Sequence, residues 1–147
     1  MTAINQTTGF LVVRTARSMK KMLDARLAEF GITTSQHMVL STLAKDDGLS
    51  LTEIGKRVYL DKPAITGLAD RLEKDRLVKR KRIPSDRRVI KLWLTEKGRS
   101  LLSRFETVVT GTDEELVQVL SPSELIIFRE MLDRIWWNAN GNSNELL

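Results

Sequence analysis

Lys79-Arg80-Lys81-Arg82-Ile83-Pro84-Ser85-Asp86-Arg87-Arg88-Val89-Ile90-Lys91 is the stretch on which the fold turns. From Leu77 onward the pattern stops being helical and alternates, with Val78, Arg80 and Arg82 on one side and Lys79, Lys81 and Ile83 on the other. Pro84-Ser85-Asp86 is turn chemistry, and beyond it Ile90, Leu92 and Leu94 alternate with Val89, Lys91 and Trp93. The segment reads as a β-hairpin with a basic tip. Of the 24 basic and 19 acidic residues in the 147-residue chain, seven and one lie here, which leaves the remainder at −1 and puts the whole net charge of +5 in this hairpin. A local concentration of that kind attracts phosphates, whereas the same charge spread evenly would only solubilise.

The residues before the hairpin predict four helices. Phe10, Val13, Met19, Met22, Leu23, Leu27 and Phe30 recur at helical spacing over Gly9–Phe30, and Gly31 follows as a stop. Thr33 and Gln36 form a capping box that opens a second helix with an apolar face of Met38, Val39, Leu40 and Leu43, ending near Asp46-Asp47-Gly48. Ser50 and Glu53 repeat the box for a short third helix, whose stripe is Leu51, Ile54 and Val58. Asp61 then caps a fourth, which tolerates Pro63 in its first turn and buries Ile65, Leu68, Ala69 and Leu72.

After the hairpin, Thr95 caps a fifth helix running on to Leu120, which Gly98 and Gly111 weaken locally. Ser121-Pro122-Ser123-Glu124 starts a last helix. Its apolar residues, from Leu125 through Phe128, Leu132 and Ile135 to Trp136 and Trp137, cover too much of the circumference for packing on one side. That helix needs two partners, and the polar tail from Asn138 is expected to fray.

Composition excludes several chemistries. The chain has no cysteine and one histidine, so disulfides, thiolate zinc sites and cysteine nucleophiles are absent and no metal or other cofactor is expected. No paired nucleophile and base and no glycine-rich phosphate loop is present, which argues against an enzyme. No apolar run approaches the length that spans a bilayer and the first residues are polar, so no membrane association and a cytoplasmic location are expected.

A short helix, a tight turn, a second helix with small and polar residues at its start, and then a two-stranded basic hairpin make a winged helix-turn-helix. The expected fold class is mainly α with a small β-hairpin wing. In that arrangement the second helix of the pair enters the major groove of double-stranded DNA and the hairpin reaches beside it. Lys62, Pro63, Ala64, Thr66, Gly67 and Arg71 lie off the apolar stripe and face the DNA, with Thr66 able to donate to base edges or phosphate and Lys62 and Arg71 suited to phosphates. Ser50 and Thr52, at the start of the preceding helix, and Arg82 in the hairpin complete the set. Arg87 and Arg88 suit a narrow minor groove, whose negative potential favours guanidinium groups.

Residues 32–98 resemble the MarR family of transcription regulators. The matching runs are Asp86-Arg87-Arg88 followed by Leu94-Thr95-Glu96-Lys97-Gly98, together with Leu51-Thr52-Glu53-Ile54-Gly55 and the helix from Asp61 to Lys74. The order of elements extends the resemblance to nearly the whole chain. It implies a winged helix-turn-helix domain over 32–98, a helical dimerisation region made of 1–31 and 112–147, and a helix over 99–111 joining the two. It also implies that Arg88 is the minor-groove residue of the wing tip, with Asp86 holding it in place. A homodimer through the first and last helices follows, with Phe10, Leu125, Phe128, Leu132, Ile135 and Trp136 at its interface. Release of DNA by a small aromatic or anionic effector follows as well, for which Arg14, Arg17, His37 and Trp93 are the candidate residues. Glycine at position 67 departs from the longer polar or basic residue common in the family, which shifts readout toward the wing. The alternative is an architectural winged helix that binds DNA or RNA without regard to sequence.

Overall fold

The computed structural model describes residues 3–141 and divides the chain into two compact units, Met1–Val109 and Thr110–Leu147. The first unit holds α1 (Thr8–Leu27), α2 (Thr34–Lys45), β1 (Leu49–Ser50), α3 (Leu51–Val58), α4 (Lys62–Lys74), β2 (Val78–Ile83) and β3 (Asp86–Leu94). Helix α5 (Glu96–Val117) starts in it and runs into the second unit, which also contains α6 (Pro122–Asn140). The predicted fold class is the one observed, mainly helical with a wing.

Local chemistry explains most boundaries. Thr33 accepts from Gln36 N while the Gln36 side chain accepts from Thr33 N at 2.8 Å, and the same reciprocal box starts α3 at Ser50 and α6 at Ser121. These boxes satisfy backbone donors that a helix start otherwise leaves unpaired. The first helix is shorter than its periodicity predicts: α1 ends at Leu27 and a 3-10 turn covers Ala28–Phe30 before Gly31, at φ 69°, reverses the chain. The tighter turn lets Phe30 meet Phe105 of α5 edge to face, with ring centroids 5.5 Å apart. Helix α6 continues to Asn140, past the expected start of the frayed tail, and residues 142–147 lie outside the described residues.

The core of the first unit is built from Leu27, Val39, Leu40, Leu43, Leu49, Ile54, Ile65, Leu72, Val78, Leu92 and Phe105, one or more from each packed element. Met38, expected on the buried face of α2, is exposed, because the inward face of the helix is formed by its neighbours Gln36, His37, Val39 and Leu40 and by Leu43, all buried. Gln36 can be buried because its side chain is consumed by the cap.

The sheet has three strands in the order β1-β3-β2 rather than two. Leu49 and Ser50 pair antiparallel with Leu92 and Lys91, so the residue that caps α3 also sits on the wing's sheet. Pairing of β2 and β3 runs from Val78 opposite Leu94 to Arg82 opposite Ile90, then shifts register so that Ile83 faces Asp86 across Pro84 and Ser85. Thr95 links the wing to α5: its hydroxyl donates to the Arg76 carbonyl at 2.7 Å and accepts from Gly98 N at 3.0 Å. A Cβ on Gly98 would stand 2.3 Å from the Leu77 carbonyl oxygen. Gly98 is therefore the condition for α5 to begin against the wing, more than a weakness in the helix.

Candidate nucleic-acid interface

Helices α3 and α4 are set by the turn Tyr59–Asp61. Gly55 permits the tight approach, since a Cβ there would lie 2.9 Å from the Leu60 carbonyl oxygen, and Leu60 N closes the turn by donating to Gly55 O at 2.9 Å. Tyr59 takes the left-handed conformation at φ 57°. Asp61 then caps α4 by accepting from Ala64 N at 2.9 Å. With Ile65, Ala69 and Leu72 buried beneath it, α4 turns Lys62, Pro63, Ala64, Gly67 and Arg71 outward, as the stripe predicted.

Two members of the expected set are more constrained than their residue types suggest. Thr66 is half-buried and its hydroxyl donates to Lys62 O at 2.8 Å within the helix. In the free protein that hydrogen is engaged within the helix, so the outward chemistry of Thr66 is its oxygen lone pairs and its methyl group. Ser50 accepts from Glu53 N at 3.1 Å and gives its own N–H to Glu53 at 2.7 Å, which fixes it as a cap. The Glu53 carboxyl is held below its ordinary range, first by the Ser50 backbone N–H and with help from nearby Lys91 and Arg57. Thr52 lies exposed on the first turn of α3. Gly67 has no atom within 4 Å of where a Cβ would stand, so internal packing does not require it.

At the wing tip the Arg88 side chain is 91% exposed and tied to Asp86. Arg88 Nε donates to Asp86 Oδ1 at 3.1 Å, Nη2 to Oδ2 at 3.3 Å, and the Arg88 backbone N–H to Oδ1 at 3.1 Å. These bonds, the guanidinium's first, hold the Asp86 carboxyl below its usual pKa, so it is ionised wherever DNA binds. Arg82 donates to the Arg87 carbonyl at 2.8 Å, bracing the tip from the opposite strand, and Arg87 stays exposed. Arg80 points elsewhere: it pairs with Asp70 and lies 3.7 Å from Glu73, both on α4. One of the seven basic side chains is thus a strut between wing and helix, already neutralised.

The residue that sequence reasoning missed is Asp47. Its Oδ1 accepts from Leu94 N at 2.9 Å and from Gly48 N at 3.1 Å, and its Oδ2 accepts from Arg99 at 2.6 Å. Neighbouring Asp46 pairs with Arg57 of α3 at 2.9 Å. The loop after α2 therefore fastens the end of the wing, the start of α5 and the end of α3; the only sequence signal was an Asp-Asp-Gly turn.

Candidate effector residues sit in separate settings. Trp93 covers Gly48, whose φ is +70° and where a Cβ would meet the indole at 2.4 Å. His37 is buried with Nε2 3.2 Å from the Ser41 hydroxyl; burial lowers its pKa, and the Glu106 carboxylate opposes that. Arg14 and Arg17 lie exposed on α1. Among the proposed interface residues Phe10, Phe128, Leu132 and Ile135 are exposed, while Leu125 and Trp136 are half-buried and Trp136 packs edge to face on Trp137 at 4.8 Å. No group of histidine, aspartate and glutamate that could hold a metal occurs among the described residues, and no helix there is long and apolar enough to cross a membrane.

The family model described as MarR family matches residues 32–90, the span from α2 to the wing. Over 137 residues, 92% of this chain and 94% of the relative, the chain is 32% identical to the HTH-type transcriptional regulator MhqR of Bacillus subtilis (strain 168). The fold matches the S. aureus MepR-DNA complex with a TM-score of 0.81 at 27% identity, covering 90% of this chain and 98% of that one. It also matches the PcaV transcriptional regulator from Streptomyces coelicolor in complex with its natural ligand, with a TM-score of 0.82 at 26% identity over 95% and 99% of the two chains. Capped helix pair, braced arginine wing and a relative similar along nearly its whole length agree: the chain belongs to the MarR family and is a winged helix-turn-helix transcription regulator rather than an enzyme.

Proposed function

We propose that the chain acts as a homodimer on a pseudo-palindromic operator, with α4 of each copy in the major groove and Arg88 in the adjacent minor groove. The observation that carries this reading is the wing tip, where an almost fully exposed arginine is held in one direction by Asp86 while α4 turns Lys62, Pro63, Ala64, Gly67 and Arg71 outward. A solubilising charge has no need of such bracing. Dimerisation is supported by the apolar side chains left uncovered on α1, including Phe10, Leu11, Val12 and Val13, and on α6, including Ile127, Phe128, Met131, Leu132 and Ile135. Two such faces on one small chain exceed what a monomer ordinarily exposes. Action as a repressor is supported by the 38% identity over 101 residues to a transcriptional repressor, and response to a small effector, which we take to be aromatic or anionic and to release DNA, by the likeness to a regulator solved with its natural ligand.

Duplexes selected from genomic DNA and titrated at several salt concentrations test the reading. Two half-sites about 10 bp apart and a steep loss of affinity with salt are expected. Equal affinity for scrambled duplexes would instead favour a sequence-indifferent architectural protein. Melting against a panel of aromatic carboxylates and phenols tests the effector, with no shift for any compound counting against it.

A further inference from the structure

Strand β1 pairs Leu49 with Leu92 and Ser50 with Lys91, and the same antiparallel register carried back two positions sets Asp47 opposite Leu94. Gly48 lies between them at φ +70° with the Trp93 indole against it, so the backbone leaves the strand conformation there. The Asp47 side chain supplies the next rung instead, its Oδ1 accepting from Leu94 N at 2.9 Å. Its Oδ2 accepts from Arg99, on the first turn of α5, at 2.6 Å. One carboxylate thus joins the end of β3 to the helix that follows it.

That junction is the base of a lever. Along β3 the path from Leu94 to Arg88 is about 20 Å, so a tilt of about 6° at the base moves the tip by about 2 Å. A shift of that size breaks a hydrogen bond, whose working range is only a few tenths of an ångström. The bonds at the tip, Asp86 with Arg88 and Arg82 with the Arg87 carbonyl, fix Arg88 within the hairpin but not the hairpin against the body. On the β2 side the Arg80 strut to α4 holds it, and at the β3 end Asp47 does. The Asp47 and Arg99 side chains are 24% and 53% exposed, and pairs this open to water add little stability. What the pair supplies is direction.

We infer that Asp47 is a positioning residue for DNA binding: through Leu94 and Arg99 it sets the angle at which the wing delivers Arg88. This rests on the minor-groove reading of Arg88 above. The test titrates the full-length protein with the selected operator duplex at several salt concentrations, as wild type, Asp47→Asn, Arg99→Gln and Arg88→Ala, and with each of the first two changes combined with Arg88→Ala. Asp47→Asn keeps an acceptor for Leu94 N and gives up the ion pair. Arg99→Gln breaks the pair and leaves the Leu94 bond untouched, so it decides the matter should Asp47→Asn fail to fold. Melting without DNA sets a titration temperature at which the proteins compared are folded. Asp47→Asn and Arg99→Gln should each bind about 3- to 10-fold more weakly at an unchanged salt slope, although the first removes a negative charge. In the Arg88→Ala background the same changes should alter affinity by less than about twofold, because the residue being aimed is gone. Equal losses in both backgrounds would overturn the inference, since Asp47 would then serve the fold at large, and so would unchanged affinity. A slope lower by about 0.9 per half-site for Arg99→Gln would make Arg99 a phosphate contact and overturn it too. Wild-type affinity for Arg88→Ala would instead remove the minor-groove reading itself, a result distinct from additive losses beside an effective Arg88.

Discussion

Replacing Asp86 with alanine removes a negative charge from the face proposed to meet DNA, and charge counting alone would have the protein bind more tightly. The wing geometry predicts the opposite. Asp86 accepts two bonds from the Arg88 guanidinium and one from its backbone N–H, while the Arg88 side chain has almost no other support at 91% exposure. An unheld arginine carries about 2 kcal/mol of rotamer freedom that must be given up on entering a minor groove. Asp86 removes part of that cost before DNA arrives, and its own repulsion from phosphates is shortened by screening to within about 8 Å at physiological salt. The expected result is an affinity about three- to tenfold weaker for Asp86→Ala. Arg88→Ala should cost about 1 to 3 kcal/mol per half-site, and roughly twice that for a dimer on both. In an Arg88→Ala background the carboxylate has nothing left to hold, so removing Asp86 should then be neutral or slightly favourable. The four proteins form a double-mutant cycle, read by fluorescence anisotropy on one duplex at one salt concentration, with melting as the control for folding. Tighter binding by Asp86→Ala in both backgrounds would refute the positioning argument and leave Asp86 a turn residue.

Two glycines should respond in opposite directions. Gly67→Ala meets nothing within 4 Å, so the free protein should gain about 1 kcal/mol of helix stability while operator affinity falls if α4 approaches DNA closely. Gly98→Ala places a Cβ 2.3 Å from the Leu77 carbonyl oxygen and should lose about 1 to 3 kcal/mol in urea unfolding. His37 supplies a pH dependence. Because burial lowers its folded pKa, the unfolded chain binds the proton first; stability is full above about pH 6.5 and is lost as pH falls from there toward the folded value. Wild type should therefore melt progressively lower from pH 7 to 5, and His37→Gln should flatten that window, leaving the loss below about pH 4 that comes from carboxylates such as Asp24 and Glu53.

What the sequence made legible was what neighbouring residues decide among themselves. Thr33 with Gln36, Ser50 with Glu53, Asp61, and Ser121 with Glu124 each start a helix within one turn, and the alternation from Val78 placed the hairpin. Illegible were features whose partners lie far along the chain. Strand β1 is two residues long, too short to show a period, and exists because Leu92 and Lys91 are there to pair with it. Asp47 reads as a turn residue until Leu94 and Arg99 are brought to it from 47 and 52 positions away. The site was legible in residue type but not in hydrogen-bond state: nothing local announces that the Thr66 hydroxyl is spent on Lys62 O or that Tyr59 sits at positive φ.

The same distinction decides how the basic hairpin should be counted. Its charge total treats seven cations alike, yet Arg80 is paired with Asp70 and Glu73, Arg82 is turned onto the Arg87 carbonyl, and Lys91 lies near Glu53. Binding slopes against salt report phosphates neutralised, at about 0.9 per contact, so they separate a presented cation from a structural one. Lys81→Gln, at an exposed position on β2, should lower the slope by about one unit per half-site and leave melting unchanged. Arg80→Gln should do the reverse, lowering melting because Asp70 and Glu73 on α4 lose their shared partner, with the slope hardly altered. Equal slope changes for the two variants would mean that Arg80 leaves α4 for a phosphate when DNA binds, and the wing would then be gripping with a charge that the free protein keeps for its own fold.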